Sequence, residues 1–260
     1  MPPLVLTFAA SDPTGGAGLQ ADVLTIAALG CHPLSVVTGL TVQDTSGVEY
    51  LEAVPAGLVT RQAMRVLAES EVAAFKVGVV GSAENVRAVA AIAAAHASVP
   101  LVLDPVLASG RGDPLADDET RAALLETLVP RATVLTPNTL EAERLGGRER
   151  LLELGCRYVL VTGTHDATPE VVNKLYDANG LVREDRWQRL PGSYHGSGCT
   201  LASAIAATLA KGRKLPDAVR EAQEFTWQAL NAGFRPGMGQ YLPDRFFWAR
   251  ESDESGPGDA

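Results

Sequence analysis

The sequence predicts an α/β protein built on a mostly parallel sheet that is covered by helices on both faces. The first observation is a set of short apolar runs rich in Val and Leu, each stopped by Gly, Pro or Asp, which is typical of buried strands. The second is that helical stretches separate these runs and are long enough to connect parallel strands. Because such sheets bind ligands at the carboxyl ends of their strands, functional residues are expected where the apolar runs end.

Five segments carry the buried-strand pattern. They are 4–10 (LVLTFAA), 75–80 (FKVGVV), 101–106 (LVLDPV), 133–137 (TVLTP) and 158–163 (YVLVTG). Two other segments, 47–54 and 171–190, alternate polar and apolar residues and predict antiparallel additions to the sheet. The second of these contains Asn179-Gly180, a strong signal for a tight hairpin turn.

Helices are predicted between the strands, and the whole pattern indicates one domain. Segments 83–97 and 117–129 have apolar residues at helical spacing and open with capping or acidic residues. No internal repeat or linker interrupts the alternation, so a single domain is expected over residues 1–250. The segment 251–260 (ESDESGPGDA) is acidic and has no large apolar side chain, which predicts a disordered tail.

Composition and charge argue against several classes of protein. The 260 residues carry a formal net charge of -9, which disfavours nucleic-acid binding because that binding draws on clustered Lys and Arg. No apolar stretch is long enough to span a bilayer, and the first residues lack the basic start of a signal sequence. The three cysteines, Cys31, Cys156 and Cys199, are far apart and show no zinc spacing. We therefore expect a cytoplasmic protein in a reducing compartment, with neither nucleic-acid nor membrane partners.

Residues 195–200 (HGSGCT) form a glycine loop before an Ala/Leu-rich helix that Gly212 closes. Glycines allow a close approach to an anion, and a helix start offers unpaired N–H groups and the positive end of its dipole. The loop is thus a candidate binding site for a transferred phosphate, formed by Gly196, Ser197 and Gly198. Glycine turns before helices are common, however, and by themselves do not indicate such a site. Cys199 would lie in the first helical turn, where a lowered thiol pKa could let it accept a proton. The alternative is that Cys199 is a small buried hydrophobe.

Asn138 and Glu141 follow the apolar run 133–137 and open a predicted helix. Their three-residue spacing places both side chains on one face at the carboxyl edge, where oxygen ligands could hold Mg²⁺ through water. The same two residues also fit an N-cap with a capping-box glutamate, which by itself explains them better. Asp104 ends another strand at this edge, as a simple turn former or as a partner of the metal.

The segment 11–22 (SDPTGGAGLQAD) is a glycine turn that leads from the first strand into a helix. It lacks both G-x-G-x-x-G and G-x-x-x-x-G-K-[ST], so neither a dinucleotide fingerprint nor a P-loop is predicted. This segment indicates a function only in combination with the other motifs of the chain.

Six motifs follow one another along the chain: ASDPTGGAGLQAD, TVQDTSGV, VLDPV, GDPL, TPNTLEAE and HGSGCT. In order and spacing they resemble the hydroxymethylpyrimidine/phosphomethylpyrimidine kinases of the ribokinase superfamily, over nearly all of the predicted domain. The resemblance implies a ribokinase-like three-layer αβα fold and a homodimer. It also implies ATP-dependent phosphorylation of a small-molecule pyrimidine of the thiamine pathway, first on its hydroxymethyl group and then on the monophosphate. The resemblance further implies that Asn138 and Glu141 bind Mg²⁺ through its coordinated water, with Asp104 behind them.

The resemblance implies roles for individual side chains of the reacting site. The loop 196–198 matches the anion hole, and Cys199 takes the position where the wider superfamily usually has an aspartate base. Gln43 matches the residue that reads the amino and ring nitrogens of the pyrimidine. Asp22 matches a side chain near the hydroxymethyl group.

Three positions depart from the family pattern. Thr162, in the stretch VTGTH (161–165), stands where a lysine that meets the nucleotide phosphates is common, so this ATP contact carries no positive charge. Val79 stands where a pyrimidine-facing methionine is frequent, and Ala10 where a glycine is usual. Both are expected to reshape the substrate pocket.

Two other functions stay open. A pyridoxal or pyridoxine kinase of the same superfamily phosphorylates a similar hydroxymethyl group, but Gln43 and Cys199 favour the pyrimidine. A non-catalytic pyrimidine sensor descended from a kinase is conceivable because of Thr162. The presence of Asn138, Glu141 and the glycine loop argues against it, since a sensor has no need of them.

Overall fold

Nine strands form one sheet in the computed structural model, which describes residues 1–109, 111–166 and 168–249. The strands are β1 (Leu4–Ser11), β2 (His32–Gln43), β3 (Val48–Ala53), β4 (Ala74–Val77), β5 (Leu101–Leu103), β6 (Val134–Leu135), β7 (Val159–Val161), β8 (Glu170–Asp177) and β9 (Gly180–Gln188). Their order in the sheet is β3-β2-β1-β4-β5-β6-β7-β8-β9. The strands from β2 to β7 in this order pair in parallel, whereas β3, β8 and β9 are antiparallel additions. The predicted mostly parallel sheet is confirmed.

Helices cover both faces of the sheet. They are α1 (Gly18–Ala28), α2 (Ala56–Leu67), α3 (Ala83–Ala95), α4 (Asp118–Ala123), α5 (Thr139–Arg144), α6 (Gly147–Glu153), α7 (Ser197–Ala210) and α8 (Leu215–Asn231). Helices α1, α7 and α8 pack on one face, and α2, α3, α4 and α6 pack on the other. The molecule is therefore a three-layer αβα structure, as the resemblance implies.

Alternation along the strands divides the core into two apolar layers. In β1, Leu6 and Phe8 belong to the layer under α2 and α3, whereas Val5 belongs to the layer under α1 and α7. Successive strand residues point to opposite faces, and both faces of a parallel sheet are buried, so the strands read as continuous apolar runs. Helix α7 is rich in buried alanines and packs on β1, β4 and β5.

Most of the predicted elements are present, with differences at their ends. The helix predicted over 83–97 is α3, and its N-cap Ser82 accepts a hydrogen bond from the Asn85 backbone N–H. The helix predicted over 117–129 is α4 followed by a π-helical turn (Leu124–Leu128) and a 3-10 turn (Val129–Arg131). The antiparallel segments and the Asn179-Gly180 turn are confirmed.

Two predictions concern regions that the structure does not test. The segment 251–260 lies outside the described residues, and the domain boundary at residue 250 stays a prediction. Among the residues that are described, no helix combines the length and apolar character needed to cross a membrane.

Candidate active site

A cleft of about 420 Å³ opens at the carboxyl edge of the sheet, where several strands end and α7 begins. Eleven of the residues predicted from the sequence line it: Ala10, Gln43, Val79, Asp104, Asn138, Glu141, Thr162, Gly196, Ser197, Gly198 and Cys199. They come from parts of the chain that are far apart, so the fold brings the separate motifs to one place. Asp22 is the exception and is described below.

Two glycine loops meet at the centre of the cleft. The first, residues 12–18, links β1 to α1, and the second, residues 195–199, runs into the first turn of α7. Gly196 has φ of +79°, and a Cβ built on it would lie 1.9 Å from the Gly16 carbonyl oxygen. Only glycine permits this contact, because backbone packs directly on backbone. The second loop ends at a helix start, whose free N–H groups suit an anion.

A hydrogen bond between a histidine and a buried aspartate joins the two glycine loops. His195 Nε2 lies 2.9 Å from Asp12 Oδ2, and the Asp12 carboxylate also accepts hydrogen bonds from the backbone N–H groups of Ala17 (2.7 Å) and Thr14 (2.8 Å). Burial alone would raise the pKa of Asp12, but these donors hold it at about 2. Asp12 is therefore an ionised anchor for its loop. Sequence analysis did not single out Asp12 or His195, which are 183 residues apart.

Asp22 does not line the cleft, and its predicted place beside the hydroxymethyl group stays a prediction. Its carboxylate is fully buried and bound by Lys76 Nζ, at 2.7 and 2.9 Å from the two oxygens. Thr7 Oγ1 (2.5 Å) and Ser203 Oγ (2.7 Å) also donate to it. Because three side chains already satisfy this carboxylate, its role in the structure is to hold a buried lysine.

Lys76 is a charged residue near the cleft that sequence analysis missed. Its ammonium group lies against the backbone just after β4, since a Cβ on Gly78 would be 2.7 Å from Nζ. Burial opposes the charge, but the negative carboxylates of Asp22 and Asp104 raise the pKa of Lys76 above its ordinary value. The side chain is thus a buried cation. A lone lysine inside the apolar run 75–80 was the signal that could have shown it.

Buried Asp104 and half-buried Glu141 are neighbouring carboxyl groups at the edge of the sheet. Asp104 Oδ2 is buried and has no hydrogen-bond partner among the described residues. Burial raises the pKa of Asp104 to about 6, although Lys76 acts in the opposite direction. Burial and the charge of Asp104 together raise the pKa of Glu141 to about 8. The two groups repel each other, and a bound cation would relieve that repulsion.

The oxygen donors at this edge fit Mg²⁺ better than a transition metal. The described residues contain no cluster of three or more His, Cys, Asp or Glu able to hold a metal. Two carboxylates with one unpaired oxygen suit an ion that keeps much of its water. The fit therefore rests on the orphaned oxygen of Asp104 and on the pair's mutual repulsion.

Asn138 and Glu141 also form the capping box that the sequence allowed. Asn138 Oδ1 accepts from the Glu141 backbone N–H (2.8 Å), and Glu141 Oε2 accepts from the Asn138 backbone N–H (3.0 Å). The capping role by itself accounts for their spacing. A metal role for Glu141 depends on its closeness to Asp104 and not on that spacing.

The expectation of a low thiol pKa at Cys199 is wrong. Burial raises the pKa of Cys199 to about 12, and Lys76 offsets this only in part while Asp104 adds to it. The helix start does not compensate for the loss of water and for the neighbouring carboxylate. Cys199 is a neutral thiol in this structure.

The far end of the cleft is aromatic, and sequence analysis did not predict it. Trp187 and Trp227 both line it, with their rings stacked at a centroid distance of 6.4 Å. Gln223 Oε1 accepts hydrogen bonds from Trp187 Nε1 (3.0 Å) and Asn173 Nδ2 (2.8 Å). Gln43 lines the cleft from β2, at the other side of the sheet. The cleft thus has two ends of different chemistry, with the glycine loops between them.

Comparison with known proteins places this site in context. Residues 12–244 match the protein family described as phosphomethylpyrimidine kinase. The hydroxymethylpyrimidine/phosphomethylpyrimidine kinase of Streptomyces coelicolor is 41% identical over 254 residues, which cover 92% of each chain. The enzyme of the same name from Rhizobium meliloti is 38% identical over 253 residues, covering 92% of this chain and 95% of that protein.

Solved structures show the same architecture. The pyridoxal kinase from Staphylococcus aureus, in complex with AMP-PCP and pyridoxal, superposes with a TM-score of 0.86 at 26% identity and covers 96% of both chains. The phosphomethylpyrimidine kinase from Clostridium difficile 630 has a TM-score of 0.76 at 32% identity, covering 88% of this chain and 99% of that one. Both are similar to this chain over most of its length.

Proposed function

This chain belongs to the phosphomethylpyrimidine kinase family, and on that basis we propose that it transfers the terminal phosphoryl group of ATP to 4-amino-5-hydroxymethyl-2-methylpyrimidine, to its monophosphate, or to both. Transfer to the alcohol gives the monophosphate, and transfer to the monophosphate gives the diphosphate used in thiamine biosynthesis. The observation that carries the proposal is the meeting of the anion loop 196–199 with the carboxyl pair Asp104 and Glu141 in one cleft. This arrangement provides the positioning and charge neutralisation that phosphoryl transfer requires.

The pyrimidine is proposed to lie at the end of the cleft formed by β1, β2 and the segment after β4. The Gln43 side chain carries both a donor and an acceptor, so it can pair with the amino group and a ring nitrogen. Ala10 and Val79 line the same region and give it small apolar walls. The aromatic end, beyond Thr162, is proposed to take the nucleotide.

In the proposed reaction, an oxygen of the acceptor attacks the terminal phosphorus of ATP, and the bond from that phosphorus to ADP breaks. The N–H groups at the start of α7 stabilise the charge on the transferred group. The proton of an attacking hydroxyl passes to the thiolate form of Cys199 as the new P–O bond forms, which leaves the neutral thiol. Because burial raises the pKa of this thiol to about 12, the thiolate is a minor species at neutral pH. Thr162 supplies a hydroxyl, without charge, beside the nucleotide.

Asn138, Glu141 and Asp104 would hold a magnesium ion at the cleft. When bound, the ion supplies positive charge to the phosphate oxygens, as in other phosphoryl-transfer enzymes. The chain's own contribution is to keep two carboxyl groups close together, with one buried Asp104 oxygen left without a hydrogen-bond partner.

We also propose that the protein acts in the cytoplasm as a homodimer and does not bind nucleic acid. Its three cysteines are free and buried, and its net charge is -9. On β2 and β3, Leu40, Val42 and Tyr50 are exposed, and Val42 pairs directly with Tyr50 in the sheet. An exposed apolar strand pair of this kind supports contact with a second copy.

A steady-state phosphotransfer assay tests the proposed function. ADP release is measured with the hydroxymethylpyrimidine, its monophosphate and pyridoxal as separate acceptors. At least one pyrimidine is expected to give the highest kcat/KM. A preference for pyridoxal would support the alternative that the structural neighbours favour, and no transfer to any acceptor would refute the kinase function.

The Gln43→Ala variant localises the pyrimidine in the same assay. A buried ring edge left without its partner loses about 1–3 kcal/mol, so the KM for the pyrimidine should rise by about five- to 150-fold. The KM for ATP is the internal control and should stay unchanged. Equal changes in both constants would remove Gln43 from the pyrimidine site.

A further inference from the structure

Arg245 is a buried arginine that contacts both glycine loops. The residue is 3% exposed and lies after the end of α8 in the chain. Its Nη2 donates to the Gly16 carbonyl oxygen (2.5 Å), and its Nη1 lies 3.4 Å from the Gly15 carbonyl oxygen. Its Nε donates to Thr200 Oγ1 (3.2 Å) in the first turn of α7. One side chain therefore binds the loop 12–18 and the start of the helix that carries the anion loop.

The contact between the loops creates the need for such a donor. The Gly16 carbonyl is pressed against Gly196, so water has little access to it, and a buried carbonyl requires a hydrogen-bond partner. Arg245 supplies that partner. The Thr200 hydroxyl accepts from Arg245 and donates to the Gly196 carbonyl oxygen (2.8 Å). The contacts thus form a closed chain that runs through Gly16, Arg245, Thr200 and Gly196.

The hydrogen bond between Asp12 and His195 links the same loops at a second point. A Cβ on Gly16 would lie 2.5 Å from the His195 ring, so the two loops also interlock sterically. Glycines 16 and 196 have no side chains with which to hold their own positions. The side chains around them, Arg245 among them, must fix the backbone of the anion loop.

We propose that Arg245 is a positioning residue for phosphoryl transfer: its guanidinium group fixes the glycine loop 196–199 against the loop 12–18, so that the N–H groups at the start of α7 face the transferred phosphate. The inference rests on the proposed kinase function. A planar guanidinium is needed because its three acceptors belong to three different residues, and a lysine ammonium group does not reproduce that fork.

The charge of Arg245 supports the same role. Burial lowers the pKa of Arg245 to about 10, and the negative carboxylates of Asp22 and Asp12 oppose the decrease. The group stays protonated at neutral pH. It therefore places a positive charge next to the first turn of α7, where the helix dipole already favours an anion.

Kinetics of three variants test this inference. Arg245→Lys keeps the charge but loses the fork, Arg245→Ala leaves space for free guanidinium, and Thr200→Val removes only the relay hydroxyl. Arg148→Ala is the matched control, because Arg148 packs on the Tyr176 ring and pairs with Glu149. Measurements are kcat, the KM for ATP and for the pyrimidine, and the melting temperature.

Each Arg245 variant should lower kcat by about tenfold to 100-fold, as expected when charge-stabilising donors are misplaced. The KM for the pyrimidine should change by less than about twofold, since the loop acts mainly in the transition state. Guanidinium at millimolar concentration should restore part of the kcat of Arg245→Ala and leave Arg148→Ala unchanged. Thr200→Val should show a smaller loss of kcat than the Arg245 variants.

Several results would overturn the inference. Wild-type kcat in a folded Arg245→Lys variant is one, and a loss of kcat that guanidinium does not restore in folded Arg245→Ala is another. If both Arg245 variants fail to fold, unchanged kcat in Thr200→Val refutes the relay to Gly196. A wild-type protein that is inactive with every acceptor refutes the proposed function instead, so the two failures are distinguishable.

Discussion

Replacing Gly196 by Ala tests whether the contact between the two glycine loops controls phosphoryl transfer. A Cβ at this position would lie 1.9 Å from the Gly16 carbonyl oxygen, and such atoms are almost never closer than 3.0 Å, so the backbone must shift by about 1.1 Å. Gly212, after the end of α7, has the same φ of +79°, and no described atom lies within 4 Å of its built Cβ. Alanine in this left-handed conformation costs about 1–2 kcal/mol at either position. Gly212→Ala is therefore a control that lacks only the clash.

The two variants should differ in kcat much more than their shared backbone strain would suggest. A displacement of about 1 Å at a reacting site can cost about 100-fold in rate, so Gly196→Ala should lose about that much kcat. Gly212→Ala should keep the wild-type kcat and lose only about 1–2 kcal/mol in its free energy of unfolding. The assays are ADP release at saturating substrates and urea unfolding. A kcat for Gly196→Ala close to that of Gly212→Ala would show that the loop contact is not needed for transfer.

Three further predictions concern ionisable groups in and beside the cleft. Lys76→Met removes the cation that pairs with Asp22 and should lower the free energy of unfolding, measured in urea, by about 3–5 kcal/mol. The double variant Lys76→Met with Asp22→Asn should lose less than the sum of the two single losses. A double loss equal to that sum would contradict the coupling of the two residues. Glu141→Gln keeps the capping box, so the melting temperature of the variant should stay near that of the wild type. The Mg²⁺ concentration that gives half-maximal activity should rise. If that concentration is unchanged, Glu141 acts only as a capping residue. If the Cys199 thiolate accepts the proton, the rising fraction of thiolate below its pKa of about 12 should make turnover increase from about pH 6 to pH 9, and Cys199→Asp should remove that increase.

The sequence was sufficient to predict elements that carry a local signal. The hairpin of β8 and β9 follows from Asn179-Gly180, because few other dipeptides adopt that turn. Strand β2 was not predicted, although it has twelve residues and pairs with β1. Pro33 and Gly39 interrupt its pattern, and only its pairing with neighbouring strands stabilises it. Long-range pairing of this type leaves no local signature.

The same limit explains which site residues were found. Gln43, Asn138 and Glu141 lie in motifs at strand ends, so their presence in the cleft could be predicted. The partner of Asp22 could not, because Lys76 is 54 residues away and belongs to an apolar strand. The raised pKa of Cys199 was also out of reach, since it depends on burial and on a carboxylate from another strand.

The tryptophans of the cleft provide an optical signal for ligand binding. The protein has three tryptophans, and two of them, Trp187 and Trp227, line the far end of the cleft. The third, Trp248, packs instead against the rings of Phe225, Phe246 and Phe247. A ligand that enters the aromatic end would change the surroundings of two indole rings and leave the third as a constant background. Intrinsic fluorescence can therefore follow the occupancy of this end, the proposed nucleotide site, in the unlabelled protein and independently of turnover.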